Sequence, residues 1–335
     1  MPTVFHSSIA HPHPHAHARL AAPAALRPGD TIGIAHSSYE PDEERLARGI
    51  QALEEAGFRV VVDVDLLRPR SYCRLEDERR AENFMGLWLD PAVQGVIVST
   101  GGYGAVRMLN YLEPDVFRRN PKAFVGYSDV TALHLWLARH AGLRTFHGPT
   151  VDDLVPGGAD PSTRSLLAAL SHPHPQVDIG RGLARAVQPG IAAGRLVGGN
   201  LTLVEQSIGT SWQAETEGAI LFIEETKDPM SYVDEKLLHL RNAGLLRGVR
   251  GIVFGKQSLD RSEEEEFDNF LLDLVTDLGV PVLTDFPAGH EEPNLTLPLG
   301  TDVELVADDA TGWLRYREEA LVGRLPAAAP ERPAA

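Results

Sequence analysis

The sequence predicts an α/β protein with an N-terminal doubly wound parallel-sheet domain and a C-terminal α/β domain that has a smaller, β-rich sheet. Three observations predict this fold class. Short apolar strand-like runs alternate with helical patterns from Thr31 to Phe146, which is typical of a parallel sheet covered on both faces. Residues 152–192 are rich in proline and glycine and break this rhythm, with a single helical stretch expected near residues 162–170. The alternation resumes after Gly194, which indicates a second domain.

In the N-terminal part, each strand is a short apolar run followed by a polar loop or by a helix with apolar residues at spacings of three and four. The first helix begins near Pro41 and stops at Gly57, a residue typical of helix C-termini. Strands are expected at 31–35, 59–62, 94–99, 123–125 and 143–146, and further helices at 76–89, 105–112 and directly after Ser128.

In the C-terminal part, strands are expected at 219–223, 251–254, 282–285 and 303–307, and helices at 201–208, 231–243 and 263–278. The predicted organisation is a leader at 1–22, a nucleophile-bearing domain at 23–160, a linker at 161–192, a C-terminal domain at 193–322 and a frayed tail at 323–335. The leader interleaves histidine with proline. Disorder is the favoured interpretation, with weak binding of a transition metal as the alternative.

Composition excludes several function classes. The formal net charge of −16 over 335 residues argues against a nucleic acid or an anionic membrane surface as the main partner. The single cysteine, Cys73, excludes an internal disulfide and is compatible with a reducing compartment. No apolar stretch is long enough to span a membrane, and the N-terminus lacks a signal-peptide pattern. We therefore expect a cytoplasmic protein.

The stretch Gly126-Tyr-Ser-Asp129 separates a strand from a helix without room for a loop. A turn this sharp places Ser128 at a helix N-terminus, where free N–H groups favour negative charge. The arrangement suits the serine nucleophile of an α/β-hydrolase elbow, although Val130 stands where the usual pattern has its second glycine. Alternatively, Ser128 only caps the helix. On this stretch alone, both interpretations are open.

A serine nucleophile needs a base, an acid that orients the base, and donors for the oxyanion. His290 lies in a proline-stiffened loop after a strand, and Glu224 and Glu225 come directly at the end of an apolar strand. A carboxylate at that position can hold an imidazole, although a solvated acid is the alternative. The segment after His290 is not the zinc signature H-E-x-x-H, because residue 294 is Asn.

Backbone donors for an oxyanion are available at Gly101 and Gly102, which carry no side chains, and at Asp129, directly after the serine. Gly102-x-Gly104-x-x-Arg107 lacks the third glycine of the dinucleotide-binding motif. The segment from Gly251 to Lys256 misses the spacing of a phosphate-binding loop by one residue. Both nucleotide-binding interpretations are therefore rejected.

Six segments, in order across residues 26–316, resemble the LD-carboxypeptidase family, which comprises serine peptidases with a Ser-Glu-His triad. The segments are Leu26-Arg-Pro-Gly-Asp-Thr-Ile-Gly-Ile34, Gly101-Gly-Tyr-Gly104, Gly126-Tyr-Ser-Asp129, Gly194-Arg-Leu-Val-Gly-Gly-Asn-Leu-Thr202, Leu221-Phe-Ile-Glu-Glu225 and Gly289-His-Glu-Glu-Pro-Asn-Leu-Thr-Leu-Pro-Leu-Gly300. Two departures from the family pattern are Thr100, where members often have Arg or Lys, and Glu225, where they often have Asp.

The resemblance implies that Ser128 is the nucleophile, His290 the general base and Glu224 the acid that orients it. It also implies an oxyanion hole from the backbone N–H groups of Gly102 and Asp129. Gly101, Tyr103 and Asn200, in the matching segments, are predicted to contact the substrate. No metal or cofactor is expected, and a homodimer is expected.

The predicted function is that of a cytoplasmic serine carboxypeptidase that hydrolyses the bond between an L-diamino acid and D-Ala in murein tetrapeptides during peptidoglycan recycling. Its partner would be a small muropeptide rather than a nucleic acid or a membrane. One alternative is a self-immunity peptidase that hydrolyses an aminoacyl-nucleotide antibiotic of the microcin type. An alternative of another class is a peptide-binding homologue without catalytic activity.

Overall fold

The computed structural model describes residues 19–63, 74–173, 178–226, 229–257, 261–308 and 311–323. Most of the predicted leader, Cys73 and the tail beyond residue 323 lie outside the described residues, so the expectations for them stay predictions. The helix and strand bounds within the described ranges follow the periodicity of the sequence closely in the N-terminal half and less closely after residue 160.

The strands are β1 Thr31–Ala35, β2 Arg59–Val62, β3 Val93–Val98, β4 Ala123–Gly126, β5 Thr145–His147, β6 Asp178–Gln188, β7 Gly190–Asn200, β8 Ile220–Glu224, β9 Gly251–Gly255, β10 Val282–Phe286, β11 Leu297–Leu299, β12 Asp302–Ala307 and β13 Gly312–Tyr316. The α-helices are α1 Glu43–Glu55, α2 Arg74–Leu89, α3 Ala105–Met108, α4 Pro114–Arg119, α5 Thr131–Trp136, α6 Pro161–Ser171, α7 Leu201–Gln206, α8 Met230–Asn242 and α9 Arg261–Val275. A 3₁₀ turn at Ser128–Val130 precedes α5, and a π turn at Leu137–Ala141 follows it.

The first sheet has six strands in the order β11-β5-β4-β3-β1-β2. Strands β1 to β5 run parallel, and the chain reverses its direction of winding between β1 and β3. This is the predicted doubly wound arrangement, in which functional sites lie beyond the carboxyl ends of the strands. The sixth strand, β11, comes from far along the chain and pairs antiparallel with β5.

The second sheet closes into a seven-stranded barrel in the order β10-β6-β13-β12-β7-β8-β9. Strands β7 to β10 run parallel, whereas β6, β12 and β13 supply the antiparallel neighbours. Large apolar side chains, among them Leu196, Phe222 and Leu283, form its buried core. The predicted fold class is confirmed. The second sheet was expected to be the smaller one, but it has seven strands against six, because β6, β7 and β13, which were not predicted, belong to it.

Residues 161–192, where a linker was predicted, contain the one helix expected near residues 162–170 and, in addition, strands that were not expected. Helix α6 begins at Pro161 after Asp160, whose side chain accepts a hydrogen bond from the N–H of Thr163 at 2.9 Å. Strand β6 and the start of β7 follow. Their sequences are rich in glycine, alanine and arginine, residues with little preference for strands, and closure of the barrel places them in strands nevertheless. The predicted domain boundaries themselves stay predictions.

Buried helices pack between the two sheets and join them in one hydrophobic core. Side chains of α5, α7 and α8, including Trp136, Val204 and Leu240, belong to a single buried cluster. The chain also returns to the first sheet after β13, where Val322 bridges Ala24 and Arg144 pairs with Glu318 at 2.6 Å. Within the described residues, no helix is both long and apolar enough to cross a membrane.

Candidate active site

Ser128 occupies the sharp turn that the sequence predicted. Strand β4 ends at Gly126, and Ser128 opens the 3₁₀ turn with a φ of 61°. A positive φ is unfavourable for residues other than glycine, and such strain is concentrated at functional sites. Space for the turn comes from Gly126, because a Cβ there would lie 2.7 Å from Cγ1 of Val130. The glycine before the serine therefore makes room for the valine that stands in place of the second glycine.

Ser128, His290 and Glu224 lie within hydrogen-bond distance of one another in series. Nε2 of His290 is 3.1 Å from Oγ of Ser128, and Nδ1 is 2.6 Å from Oε2 of Glu224. When Nδ1–H donates to the glutamate, Nε2 is left to accept the serine proton. The three predicted residues are thus brought together from the ends of β4 and β8 and from the loop after β10.

Glu224 is the last residue of β8, and its side chain is fully buried. Two glycines allow this placement. A Cβ at Gly255 would lie 2.6 Å from Cβ of Glu224, and a Cβ at Gly289 would lie 2.7 Å from its Oε2. A buried carboxylate is costly unless it is paired, and here the imidazole is its partner.

The loop that carries His290 is held by helix α6, a contact that the sequence interpretation missed. Oγ of Ser162 donates to Glu292 at 2.7 Å and accepts from the N–H of Asn294 at 2.9 Å. The Asn294 side chain in turn accepts from the N–H of Gly289 at 3.0 Å, directly before the histidine. The prolines indicated a stiff loop, but no local pattern indicated that a helix more than a hundred residues earlier would brace it.

The electrostatic surroundings of His290 favour its protonated form. Burial by itself lowers the pKa of His290, but the hydrogen bond and the negative charge of Glu224 outweigh that effect and hold the pKa above its usual value. Tyr127 packs edge-on against the imidazole with ring centroids 5.0 Å apart. Burial, together with nearby carboxylates, raises the pKa of Tyr127 well above its usual value, so its hydroxyl stays neutral.

The predicted oxyanion donors, Gly102 and Asp129, belong to the two backbone segments that border the serine. A Cβ on Gly101 would be 3.2 Å from Cβ of Ser128, so the glycine pair passes directly next to the serine side chain. Gly102 follows with a φ of 121°, a conformation that favours glycine. Asp129 is the second residue of the 3₁₀ turn, and N–H groups in the first turn of a helix have no acceptor within it. Gly102 thus follows a residue that touches Ser128 and Asp129 follows Ser128 itself, and the role of their N–H groups as oxyanion donors stays a prediction.

The three residues predicted to contact substrate lie in different environments. Gly101 lies against Ser128, and Tyr103 is 42% exposed on the same loop. Asn200 is buried, and its side chain donates to Glu225 at 2.9 Å and accepts from the N–H of Leu203 at 3.3 Å. Both polar groups of Asn200 therefore bond within the protein, where they hold the start of α7, and its contact with substrate stays a prediction.

Glu225, at the position where the resemblance led us to expect aspartate, is surrounded by hydrogen-bond donors. It accepts hydrogen bonds from Asn200, from Thr202 and, at 3.0 Å, from Nζ of Lys236. Burial alone raises the pKa of Glu225, but these donors and the lysine charge bring the pKa below its usual value. The longer side chain at this position is thus fully accommodated. In the part of the chain that the structure describes, no cluster of three histidine, cysteine or acidic side chains is arranged to hold a metal ion.

A doubly wound sheet with a serine at a strained turn, facing a histidine and a buried glutamate, has the arrangement found in serine hydrolases. Comparison with protein families assigns the chain more closely. Residues 32–148 match the N-terminal domain of LD-carboxypeptidases, and residues 193–305 match the C-terminal domain. The chain belongs to the LD-carboxypeptidase family, peptidase family S66, and this membership supports a serine peptidase.

Individual relatives cover nearly the whole chain. The probable murein peptide carboxypeptidase of Bacillus subtilis (strain 168) is 30% identical over 296 residues, which are 86% of this chain and 92% of that protein. The microcin C7 self-immunity protein MccF of Escherichia coli is 28% identical over 87% of this chain and 94% of its own length. A crystal structure of muramoyltetrapeptide carboxypeptidase from Oxalobacter formigenes is 28% identical, with a TM-score of 0.75 over 86% of this chain and 99% of that one.

Proposed function

We propose that the protein is a cytoplasmic serine carboxypeptidase that removes the terminal D-Ala from murein tetrapeptides, cleaving after an L-diamino acid, in peptidoglycan recycling. The observation that carries the proposal is the hydrogen-bonded series from Ser128 through His290 to Glu224. The murein peptide and muramoyltetrapeptide carboxypeptidases among its relatives support the substrate class. In this proposal the partner of the protein is a small muropeptide, and neither a nucleic acid nor a membrane takes part. The proposed assembly is a homodimer.

The proposed reaction begins with attack of Ser128 Oγ on the carbonyl carbon of the scissile peptide bond. His290 Nε2 takes the serine proton, and Glu224 stabilises the resulting imidazolium through Nδ1–H. The negative charge on the carbonyl oxygen is received by the N–H groups of Gly102 and Asp129. Transfer of the proton from Nε2 to the leaving nitrogen then releases D-Ala and leaves the peptide as an ester of Ser128.

Deacylation repeats these steps with water as the nucleophile. His290 takes a proton from the water, whose oxygen attacks the ester carbonyl, and returns the proton to Oγ of Ser128 when the ester bond breaks. The products are the shortened peptide and the free enzyme. Every proton is carried by His290, so the chemistry needs neither a metal nor a cofactor.

The proposal is tested by incubating pure protein with a murein tetrapeptide and measuring free D-Ala with a D-amino-acid oxidase assay. Ser128→Ala and His290→Ala should each lower kcat by about 10⁴-fold or more. His172→Ala, which changes an exposed histidine outside the site, is the matched control and should keep full activity. EDTA should have no effect, and inhibition by the chelator would contradict the metal-free mechanism.

A second candidate function is hydrolysis of an aminoacyl-nucleotide antibiotic, favoured by the similarity to MccF over 87% of the chain. The same preparation should be assayed with an aminoacyl-adenylate analogue. A higher kcat/KM for this compound than for the tetrapeptide would support immunity in place of recycling. Absence of turnover with both compounds would favour a peptide-binding homologue without activity.

A further inference from the structure

We propose that the carboxylate of Asp129 is a positioning group that holds the two halves of the oxyanion hole together. The inference rests on the proposed function, which uses only the backbone N–H of this residue. The side chain has a separate set of contacts. Its oxygen Oδ2 accepts hydrogen bonds from the N–H of Ala105 at 2.8 Å and from Oγ of Ser38 at 2.7 Å.

The bond to Ala105 fixes the segment that carries the other oxyanion donor. Ala105 is the first residue of α3, and only Tyr103 and Gly104 separate it from Gly102. Asp129 therefore supplies one donor from its backbone and anchors the loop of the second donor through its side chain. The distance between the N–H groups of Gly102 and Asp129 is then fixed by a direct hydrogen bond between the two segments that carry them.

The loop at 101–104 needs such an anchor because its glycines allow a wide range of conformations. Gly102 and Gly104 have φ values of 121° and 147°, which other residues rarely adopt. Tyr103 between them is 42% exposed and does not hold the loop by burial. A second hydrogen bond, from the N–H of Tyr39 to the carbonyl of Gly101 at 3.2 Å, fixes the loop before the donor. The bond to Asp129 fixes it after the donor.

The side chain of Ser38 ties this anchor to the end of β1. Its hydroxyl lies 3.1 Å from that of Ser37, whose carbonyl accepts from Nη1 of Arg80 at 2.7 Å. The Arg80 guanidinium is paired with Asp77 at 2.7 Å and also packs against Gly104. Asp129 thus joins the carboxyl ends of β1, β3 and β4, which surround the serine.

The cost of burying this carboxylate supports a role beyond solubility. Asp129 is 2% exposed, and burial raises the pKa of Asp129 against the opposing hydrogen bonds of Ser38 and Ala105. A negative charge near a developing oxyanion opposes its formation. The benefit of the group must therefore come from its acceptor geometry rather than from its charge.

Two substitutions separate acceptor geometry from charge. Asp129→Asn keeps an oxygen that can occupy the position of Oδ2, to which both Ser38 and Ala105 bond. Asp129→Ala removes the acceptor. Removal of one oxyanion donor lowers the rate about 10²- to 10³-fold, so a misplaced Gly102 should cost about 10²-fold in Asp129→Ala. Asp129→Asn should restore the rate to within about tenfold of wild type.

The test measures the rate at which a fluorophosphonate labels Ser128. The serine oxygen displaces fluoride, and the phosphonyl oxygen is held by the oxyanion donors, so the readout does not depend on the natural substrate. Ser38→Ala, which removes one donor to Oδ2 without changing Asp129, is the second variant and should slow labelling by less than Asp129→Ala. The KM of each variant that turns over the tetrapeptide should stay within about threefold of wild type, because ground-state binding is retained.

The outcomes are distinguishable. Labelling of wild type that is absent, or independent of Ser128, would overturn the proposed function and this inference together. Labelling of Asp129→Ala at the wild-type rate, or labelling of Asp129→Asn as slow as that of Asp129→Ala, would overturn only the positioning role. If Asp129→Ala does not fold, as judged by circular dichroism, Ser38→Ala and Asp129→Asn decide the question.

Discussion

Substitution of Glu224 by glutamine tests the series of hydrogen bonds on which the proposed chemistry depends. The side chain keeps its volume, which matters because Gly255 and Gly289 leave no room for a larger group. It loses the negative charge that lies 2.6 Å from Nδ1 of His290. A glutamine amide that donates to Nδ1 would place the ring proton on Nε2, where it can no longer accept from Ser128.

The expected loss follows from that geometry. In a trypsin-like triad, the equivalent change of aspartate to asparagine lowers kcat about 10⁴-fold, so Glu224→Gln should lower kcat about 10²- to 10⁴-fold. The corresponding increase in the activation free energy is about 3–5 kcal/mol. Most of the effect should appear in kcat, because the carboxylate does not contact the substrate.

The pH dependence gives a second, independent readout. In wild type, His290 must be neutral to act as a base, so activity rises with pH through its pKa, which lies above the usual value of 6.5. Without the charge of Glu224, burial acts with less opposition and the pKa of His290 falls. The acid limb of kcat/KM should therefore move to lower pH while the plateau decreases.

Glu225→Gln is the matched control, because it removes a charge one residue away that acts on His290 only over a distance. Its acid limb should move in the same direction by a smaller amount, and its kcat should fall much less than that of Glu224→Gln. Rates of D-Ala release, measured in stopped assays across the neutral pH range, would give the acid limb and the kcat of each variant. A loss below about tenfold in Glu224→Gln, with an unmoved acid limb, would refute the role of Glu224.

Two further substitutions test how the site and the chain ends are held. Gly289→Ala forces a Cβ within 2.7 Å of Oε2 of Glu224 and should lower kcat about 10²-fold. Its control is Gly279→Ala, also at positive φ but with nothing within 4 Å of the added Cβ, which should leave kcat unchanged in the same assay. Arg144→Ala removes the buried partner of Glu318 and should lower the free energy of unfolding by about 3 kcal/mol in urea titrations. Arg118→Ala, which breaks an exposed pair, should lower it much less, and equal effects would contradict the importance of burial.

The sequence was informative wherever a local pattern had a single physical solution. Strand β4 passes into α5 without a loop, and this alone predicted the turn at Ser128. The apolar run that ends at Glu224 predicted a buried strand with an acid at its end, and the structure places Glu224 as the last residue of β8. The prolines around His290 predicted a stiff loop, although they did not identify its support.

The elements that were missed depend on partners far along the chain. Strands β6 and β7 carry many glycine, alanine and arginine residues, and only closure of the barrel makes them strands. Strand β11 contains Pro298, which argues against a central strand; it lies at the edge of its sheet, next to β5. Likewise, no local pattern indicated the hydrogen bonds of the Ser162 and Asp129 side chains, because these bonds join residues that are distant in sequence.

The pairing of β11 with β5 has a consequence for synthesis of the protein. The strand that covers the edge of β5 emerges from the ribosome about 150 residues after β5 itself, which at ordinary elongation rates is a delay of about 8–30 s. Until then the nascent sheet presents an open edge, a known template for incorrect pairing. Because Glu224 and His290 are also made late, the serine is translated well before the residues that are proposed to activate it. Messages truncated before residue 290 should therefore yield inactive, aggregation-prone chains, in which Ser128 lacks the proposed base and β5 lacks its neighbouring strand.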